Sequence, residues 1–176
     1  AVQRHALQGN LDFRYGEGKD YNGPSLFGSD FLANAGFNVT LISGSGTPYT
    51  KRELSTGQVV GSVNGSRKPW TTTVNVRFDK DFELTFAGKD GGKGKNAYLN
   101  VYLDISNILN TTNILDVYEA TGNANDDCQM GLQQFRNSVS SQIDPASFLN
   151  YYYMMVNAPG NYGSPRMVQL GASLSF

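Results

Sequence analysis

The sequence predicts an all-β protein: an antiparallel transmembrane β-barrel segment of about five strands, with its closing strand at the C-terminus. Three observations predict it. Apolar and polar residues alternate with period two in five stretches, aromatic residues stand near the ends of those stretches, and the connections between them differ sharply in length. A soluble two-sheet sandwich shares the alternation, with its polar face in water. Strands of about 9–11 residues with ring-bearing ends suit a tilted bilayer crossing instead.

The first stretch sets Leu7, Gly9, Leu11, Phe13 and Tyr15 against Gln8, Asn10, Asp12 and Arg14. The second sets Phe37, Val39 and Leu41 against Asn38 and Thr40, and runs into Gly-rich SGSG. The third opens on Trp70 and places Thr72, Val74, Val76 and Phe78 against Thr73, Asn75, Arg77 and Asp79. The fourth sets Leu99, Val101, Leu103 and Ile105 against Asn100, Tyr102, Asp104 and Ser106. The fifth, residues 167–176, alternates Val168, Leu170, Ala172, Leu174 and Phe176 with Gln169, Gly171, Ser173 and Ser175. Tyr15, Phe37, Trp70, Phe82, Tyr98 and Phe176 are the ring-bearing ends.

The connections carry the topology. TFAGKDGGKGKN is short, basic and Gly-rich, whereas 112–166 is long. Short turns on one side and long loops on the other are the asymmetry of an outer-membrane barrel, which places 46–68 and 112–166 outside the cell and 16–33 in the periplasm. The long loop should be partly helical: Asp144 is a helix N-cap with Pro145 at the first helical position, Ala158-Pro159-Gly160 ends that helix, and a second short helix is expected around 130–141.

Composition excludes several functions. Fourteen basic residues against fifteen acidic ones leave no nucleic-acid footprint. No apolar run reaches the roughly 18 residues of a membrane helix. His5 is the only histidine and shares parity with Leu7 and Leu11, which places it outward near a membrane edge, a poor position for a catalytic base. Neither enzyme chemistry nor a cofactor is expected. Cys128 has no cysteine partner, and His5 and Cys128 form no zinc motif. GNANDDC, residues 122–128, offers Asn123, Asn125, Asp126 and Asp127 but lacks the distal glutamate of a calcium loop, so it reads as a solvated turn rather than a metal site.

The lumen-facing residues are Asp12, Arg14, Asn75, Arg77, Asp79, Asn100, Tyr102 and Asp104. They read either as a wetted wall with cross-strand ion pairs or as a surface that holds a plug. Tyr118, Tyr151, Tyr152 and Tyr153 are the candidate ligand contacts of the long loop. The alternative for the tyrosine run, with Met154 and Met155, is packing within the loop itself.

The opening AVQRHALQGNLDFRYG reads as a strand already under way, so the chain is expected to be a piece of a longer protein. Five strands leave two edges whose unpaired N–H and C=O groups have no place in hydrocarbon.

SVNGSRKPWTTTVNVRFDKDFEL, LNVYLDISNILNTTNILDVYEATGN and NAPGNYGSPRMVQLGASLSF together resemble the C-terminal end of TonB-dependent outer-membrane receptors, the Bacteroidetes-type, Oar-like members above all. RYGEGKDYNGP and SGSGTPYT resemble the same subgroup. The resemblance implies a bacterial outer-membrane protein with a plugged barrel on the order of 22 strands, of which this chain forms roughly the last quarter. It implies a role for Phe176 in the signal read by the barrel-assembly machinery. It also implies, as partners, the lipid bilayer, the rest of the barrel with its plug, and a TonB-type energy-coupling protein that binds the N-terminal part. Energy-coupled import of a ligand captured at extracellular loops is the function expected. A scaffold for outer-membrane partner proteins and a passive porin are the alternatives.

Overall fold

The computed structural model describes residues 2–25, 28, 30–86 and 95–176. The fold is mostly antiparallel sheet with few helices. Five strands, β1 (Ala6–Arg14), β2 (Ala35–Gly44), β5 (Thr71–Phe86), β6 (Lys95–Ser106) and β7 (Met167–Ser175), form one open sheet in the order β1-β2-β5-β6-β7. A second, two-stranded sheet pairs β3 (Pro48–Tyr49) with β4 (Ser66–Arg67). Two helices, α1 (Gln133–Ser140) and α2 (Pro145–Val156), follow between β6 and β7.

The chain divides into two compact units. The strand unit comprises Gln8–Ile42, Thr73–Thr111 and Pro165–Phe176; the connection unit comprises Ala1–Leu7, Ser43–Thr72 and Thr112–Ser164.

In the strand unit every strand pairs with its neighbour in the chain's order of crossings. The amide of Tyr15 donates to the carbonyl of Ala35, and that of Asp81 to the carbonyl of Asn34. Val76 to Phe86 pair with Ile105 down to Lys95, and Tyr98 to Ser106 with Ser175 down to Met167. All five predicted strands are present, but β5 runs 16 residues, past Phe78 and Phe82, and β6 begins at Lys95 rather than Leu99. The ends of TFAGKDGGKGKN are therefore paired strand (Thr85 with Asn96, Phe86 with Lys95) rather than turn. Backbone pairing here overrides the sequence's turn chemistry. Its middle, 87–94, lies outside the described residues.

Pairing sorts the side chains by polarity. One face carries Leu11, Phe13, Phe37, Phe78, Phe82, Leu170 and Leu174, and nothing described covers them: Leu11 is 62% exposed and Leu170 77%. The buried apolar residues of the whole described chain are few and mostly small (Ala35, Ala97, Val117, Ala124, Val139, Val156), and no large side chain is fully buried. This sheet stands on its ladder and its polar face rather than on a core.

Just past the C-terminal end of β6, asparagine does the work of backbone. Asn107, with φ 51°, accepts from the amide of Thr111 and donates to its carbonyl, while its own amide donates to Asn75. Asn110, also at φ 51°, accepts from the amide of Arg166 and ties the start of β7 to this turn.

In the connection unit, Asn113 reproduces a strand pair with its side chain, accepting from the amide of Thr72 at 2.7 Å and donating to its carbonyl at 2.9 Å. Both expected helices are present. Asp144 caps α2 by accepting from the amides of Ala146 and Ser147, with Pro145 in the first turn, and a 3-10 turn at Pro159–Asn161 follows its end. α1 lies within the stretch expected to be helical. Gly46 sits where a β-carbon would collide with the main-chain carbonyl of Lys68 and come within 2.7 Å of that of Pro69. Backbone cannot retreat as a side-chain tip can, so Gly46→Ala should destabilise the connection unit by about 1–3 kcal/mol. Faster proteolysis within 46–68 would report it, and an unchanged cleavage rate would count against this packing.

Candidate functional site

The polar face of the strand unit brings together the predicted lumen-facing residues. The pairing places Arg14, Gly36, Asp79, Tyr102 and Gly171 in one row across all five strands. Gly36 makes the row possible: a β-carbon there would fall 2.7 Å from Arg14 Nη2 and 2.8 Å from Asp79 Oδ1. Across that gap Arg14 Nη2 donates to Asp79 Oδ2 at 2.7 Å, and Nη1 donates to Asp81 Oδ2 at 3.2 Å. Asn100 donates to the other Asp81 oxygen at 2.6 Å. At the far end of the row the Tyr102 phenol lies over the bare Cα of Gly171.

The next row holds Arg77 and Asp104, paired at 3.0 Å, with the guanidinium of Arg77 4.4 Å from the Tyr102 ring centre. Asn38 donates to both Asn10 and Asp12, at 2.9 and 3.0 Å. Asn75 accepts from the amide of Asn107 and so belongs to the strand-end turn as well as to the wall. A shallow pocket of about 180 Å³ opens here among Asn38, Asn75, Arg77, Asp104 and Gln169.

Asp81, Asn38, Gly36 and Gly171 belong to this network but are not among the residues singled out by sequence. Extending the alternation beyond Asp79 would have found Asp81. The two glycines leave no signal of their own, because their role depends on which side chains the register sets beside them.

The connection unit separates the four tyrosines. Tyr118 donates to the carbonyl of Val156 at 2.8 Å. Tyr152 donates to Asp127 at 2.5 Å, and its ring lies 5.0 Å from that of Phe135. Burial, then the bond to Asp127 and its negative charge, raise the Tyr152 phenol above the ordinary tyrosine value. Tyr151 and Tyr153 are exposed, as are Met154 and Met155. The run therefore splits into an inward Tyr152 that closes the loop's own packing and an outward set on α2.

Asp126 and Asp127 are engaged locally: Asp126 accepts from the amide of Cys128, and Asp127 from the amide of Gln129. No group of three or more His, Cys, Asp or Glu residues suited to a metal ion occurs among the described residues. His5 stacks on Trp70, with ring planes 4° apart and centres 6.2 Å apart. Phe176 is almost fully exposed at the end of β7.

Comparison with protein-family models, curated proteins and solved structures finds no match.

Two outcomes follow from these contacts. Arg14→Met leaves Asp79, an 8%-exposed residue, without its cation. It should cost about 1–2 kcal/mol, the value of a hydrogen bond to a charged group discounted for the half-exposed guanidinium. In a double-mutant cycle with Asp79→Asn, the two losses should be less than additive, and strict additivity would deny the coupling. In the connection unit, the bond from Lys68, at 2.8 Å, and then the amide of Val117 hold the Asp116 carboxyl below the ordinary carboxylate range. A carboxylate depressed by folding stabilises the fold above the unfolded value of about 3.9, and that contribution is lost as pH falls through the folded value. An NMR titration of Asp116 should have its midpoint below that of an unstructured aspartate, and Lys68→Met should move it upward.

Proposed function

We propose that the strand unit is a stretch of outer-membrane β-barrel wall, of the TonB-dependent receptor type that the sequence resembles, and that the protein captures a ligand at its long connections and imports it with coupled energy. The observation that carries the reading is the contrast between the two faces of one sheet. An uncovered apolar face backs onto a hydrogen-bonded polar network, the arrangement suited to lipid on one side and a wet, plug-facing lumen on the other.

The slant of the ring-bearing strand ends supports it. Tyr15, Ala35, Lys80, Val101 and Ala172 share one row. Measured from that row and at the same parity, Phe82 lies two residues further down β5, two strands from β1, and Phe176 four beyond Ala172 at the end of β7, four strands from β1. The line falls by one residue per strand. At about 3.3 Å per residue and about 4.8 Å per strand this is a slant of roughly 35°, within the tilt of membrane barrels. At that tilt, Val168 to Phe176 spans about 22 Å of height, against an apolar band of about 25 Å.

The same topology constrains closure. The five strands alternate in direction, so β1 and β7 run the same way and cannot pair antiparallel with each other or with the opposite edge of a second copy inserted the same way round. Antiparallel closure needs an odd number of further strands, the first and last of which run opposite to β1 and β7. A second reading, a scaffold for outer-membrane partners, is favoured by the exposed Tyr151, Met154 and Met155 of α2; a clean monomer after mild detergent extraction would count against it.

Cys128 provides the test. It is free, exposed and within 112–166. In cells making the full-length protein, a membrane-impermeant maleimide should label this position without lysis, with Cys128→Ser as the control. Labelling only after lysis reverses the topology, and recovery of the protein outside the membrane fraction removes the barrel reading.

A further inference from the structure

Two open, shallow cavities of about 390 Å³ each adjoin in the connection unit and share Arg52, Glu53, Leu54 and Ala120. The first is largely apolar, with Leu54, Val60, Ala120 and Leu132 in its wall, Lys51 among its other lining residues and the Cys128 thiol on its edge. The second is more polar and is acidic, formed with Tyr118, Glu119, Asp127 and Gln129. Its lining holds three carboxylates, Glu53, Glu119 and Asp127, against the single cation Arg52.

Arg52 is already engaged. Its Nε lies 3.1 Å from Glu119, and its Nη1 donates to the carbonyl of Gly57. The walls are held in place by bonds that need no ligand. The amide of Arg52 donates to the carbonyl of Glu119, and that of Val60 to the carbonyl of Lys51. Arg136 clamps the carbonyls of Met130 and Gly131, and Tyr152 holds Asp127. The hydroxyl of Tyr118 is fixed on Val156, so its ring is a rigid part of the second cavity. A preformed cleft of this kind requires little ordering of the protein on binding.

We infer that the paired cavities form a binding site for a small amphipathic cation: an apolar group in the first cavity and an amine in the second. The apolar wall gains by being dried. The amine meets the excess carboxylates beside the ring of Tyr118, an aromatic partner for a cation. A carboxylate-bearing ligand of the same shape meets that excess as a repulsion, so the site discriminates by charge. This assigns capture to the 51–60 and 118–132 segments and, of the four tyrosines, to Tyr118. It rests on the receptor reading only for what happens to the ligand afterwards.

Cys128 makes occupancy measurable in the detergent-solubilised full-length protein. Its rate of alkylation by N-ethylmaleimide is followed by intact mass, normalised to the rate of glutathione. Phenethylamine should slow alkylation about fivefold at roughly four times its dissociation constant, by the occupancy factor 1 + [L]/Kd. Hydrocinnamate, its anionic counterpart, should not. Val60→Trp, which fills the apolar cavity from an exposed position, should abolish the protection, and Glu53→Gln should weaken it independently. Failure of phenethylamine to protect up to its solubility limit, or equal protection by hydrocinnamate, overturns the inference. The surface-labelling experiment on intact cells is unaffected by either outcome, so the site and the receptor reading fail separately.

Discussion

Strand register is the constraint from which the other features follow. With Tyr15 set against Ala35 and Asn34 against Asp81, Arg14, Gly36, Asp79, Tyr102 and Gly171 fall into one row. A slip of one residue on any strand would send its polar set to the apolar face. The row resists that slip through glycine as well as charge. Arg14 reaches Asp79 because position 36 has no β-carbon, and Tyr102 folds flat because position 171 has none. A displaced strand would lose its ladder, and it would also set side chains against Arg14 or Tyr102.

That polar face replaces part of what a core does elsewhere. Small buried residues such as Ala35 and Ala97 contribute little transfer free energy, and the large apolar side chains lie uncovered on the other face. In water such a sheet would be poorly stable and prone to associate. Placed against lipid, the same face is solvated and the obligation moves to the backbone, whose groups the ladder pairs in the interior of the sheet but not along the outer edges of β1 and β7. The proposed wall is thus stable only as part of a larger closed sheet, and the polar network serves to fix which strand sits beside which.

Sequence legibility followed the same division. Period-two alternation identified the five main strands because each has one apolar and one polar face; the polar residues named from it meet on one side, where Arg14 finds Asp79 and Arg77 finds Asp104. Helix α2 was readable from Asp144 and Pro145, whose capping chemistry is local. What escaped was non-local. The extension of β5 and β6 past Phe82 and Leu99 depends on mutual pairing of Glu83–Phe86 with Lys95–Tyr98, which neither segment encodes alone. The divergent fates of Tyr151 and Tyr152 depend on where Asp127 and Phe135 come to lie, which no spacing within the helix encodes.

The proposed capture site and the proposed wall answer to different constraints. Wall residues answer to register, and nearly every polar group named there already has a partner across the strands. The 51–60 and 118–132 segments answer to no ladder of comparable length: one isolated bridge, Arg52 with Val59, and a few carbonyl contacts shape them. Their cavities persist because Arg52, Arg136 and Tyr152 brace the rims from the side instead of filling the space. Substitutions at Leu54, Val60 or Leu132 can therefore change what the cleft accepts without disturbing a strand pair, while Gly36 and Gly171 admit almost no change. On the proposed reading, a protein built this way alters its ligand while keeping its wall.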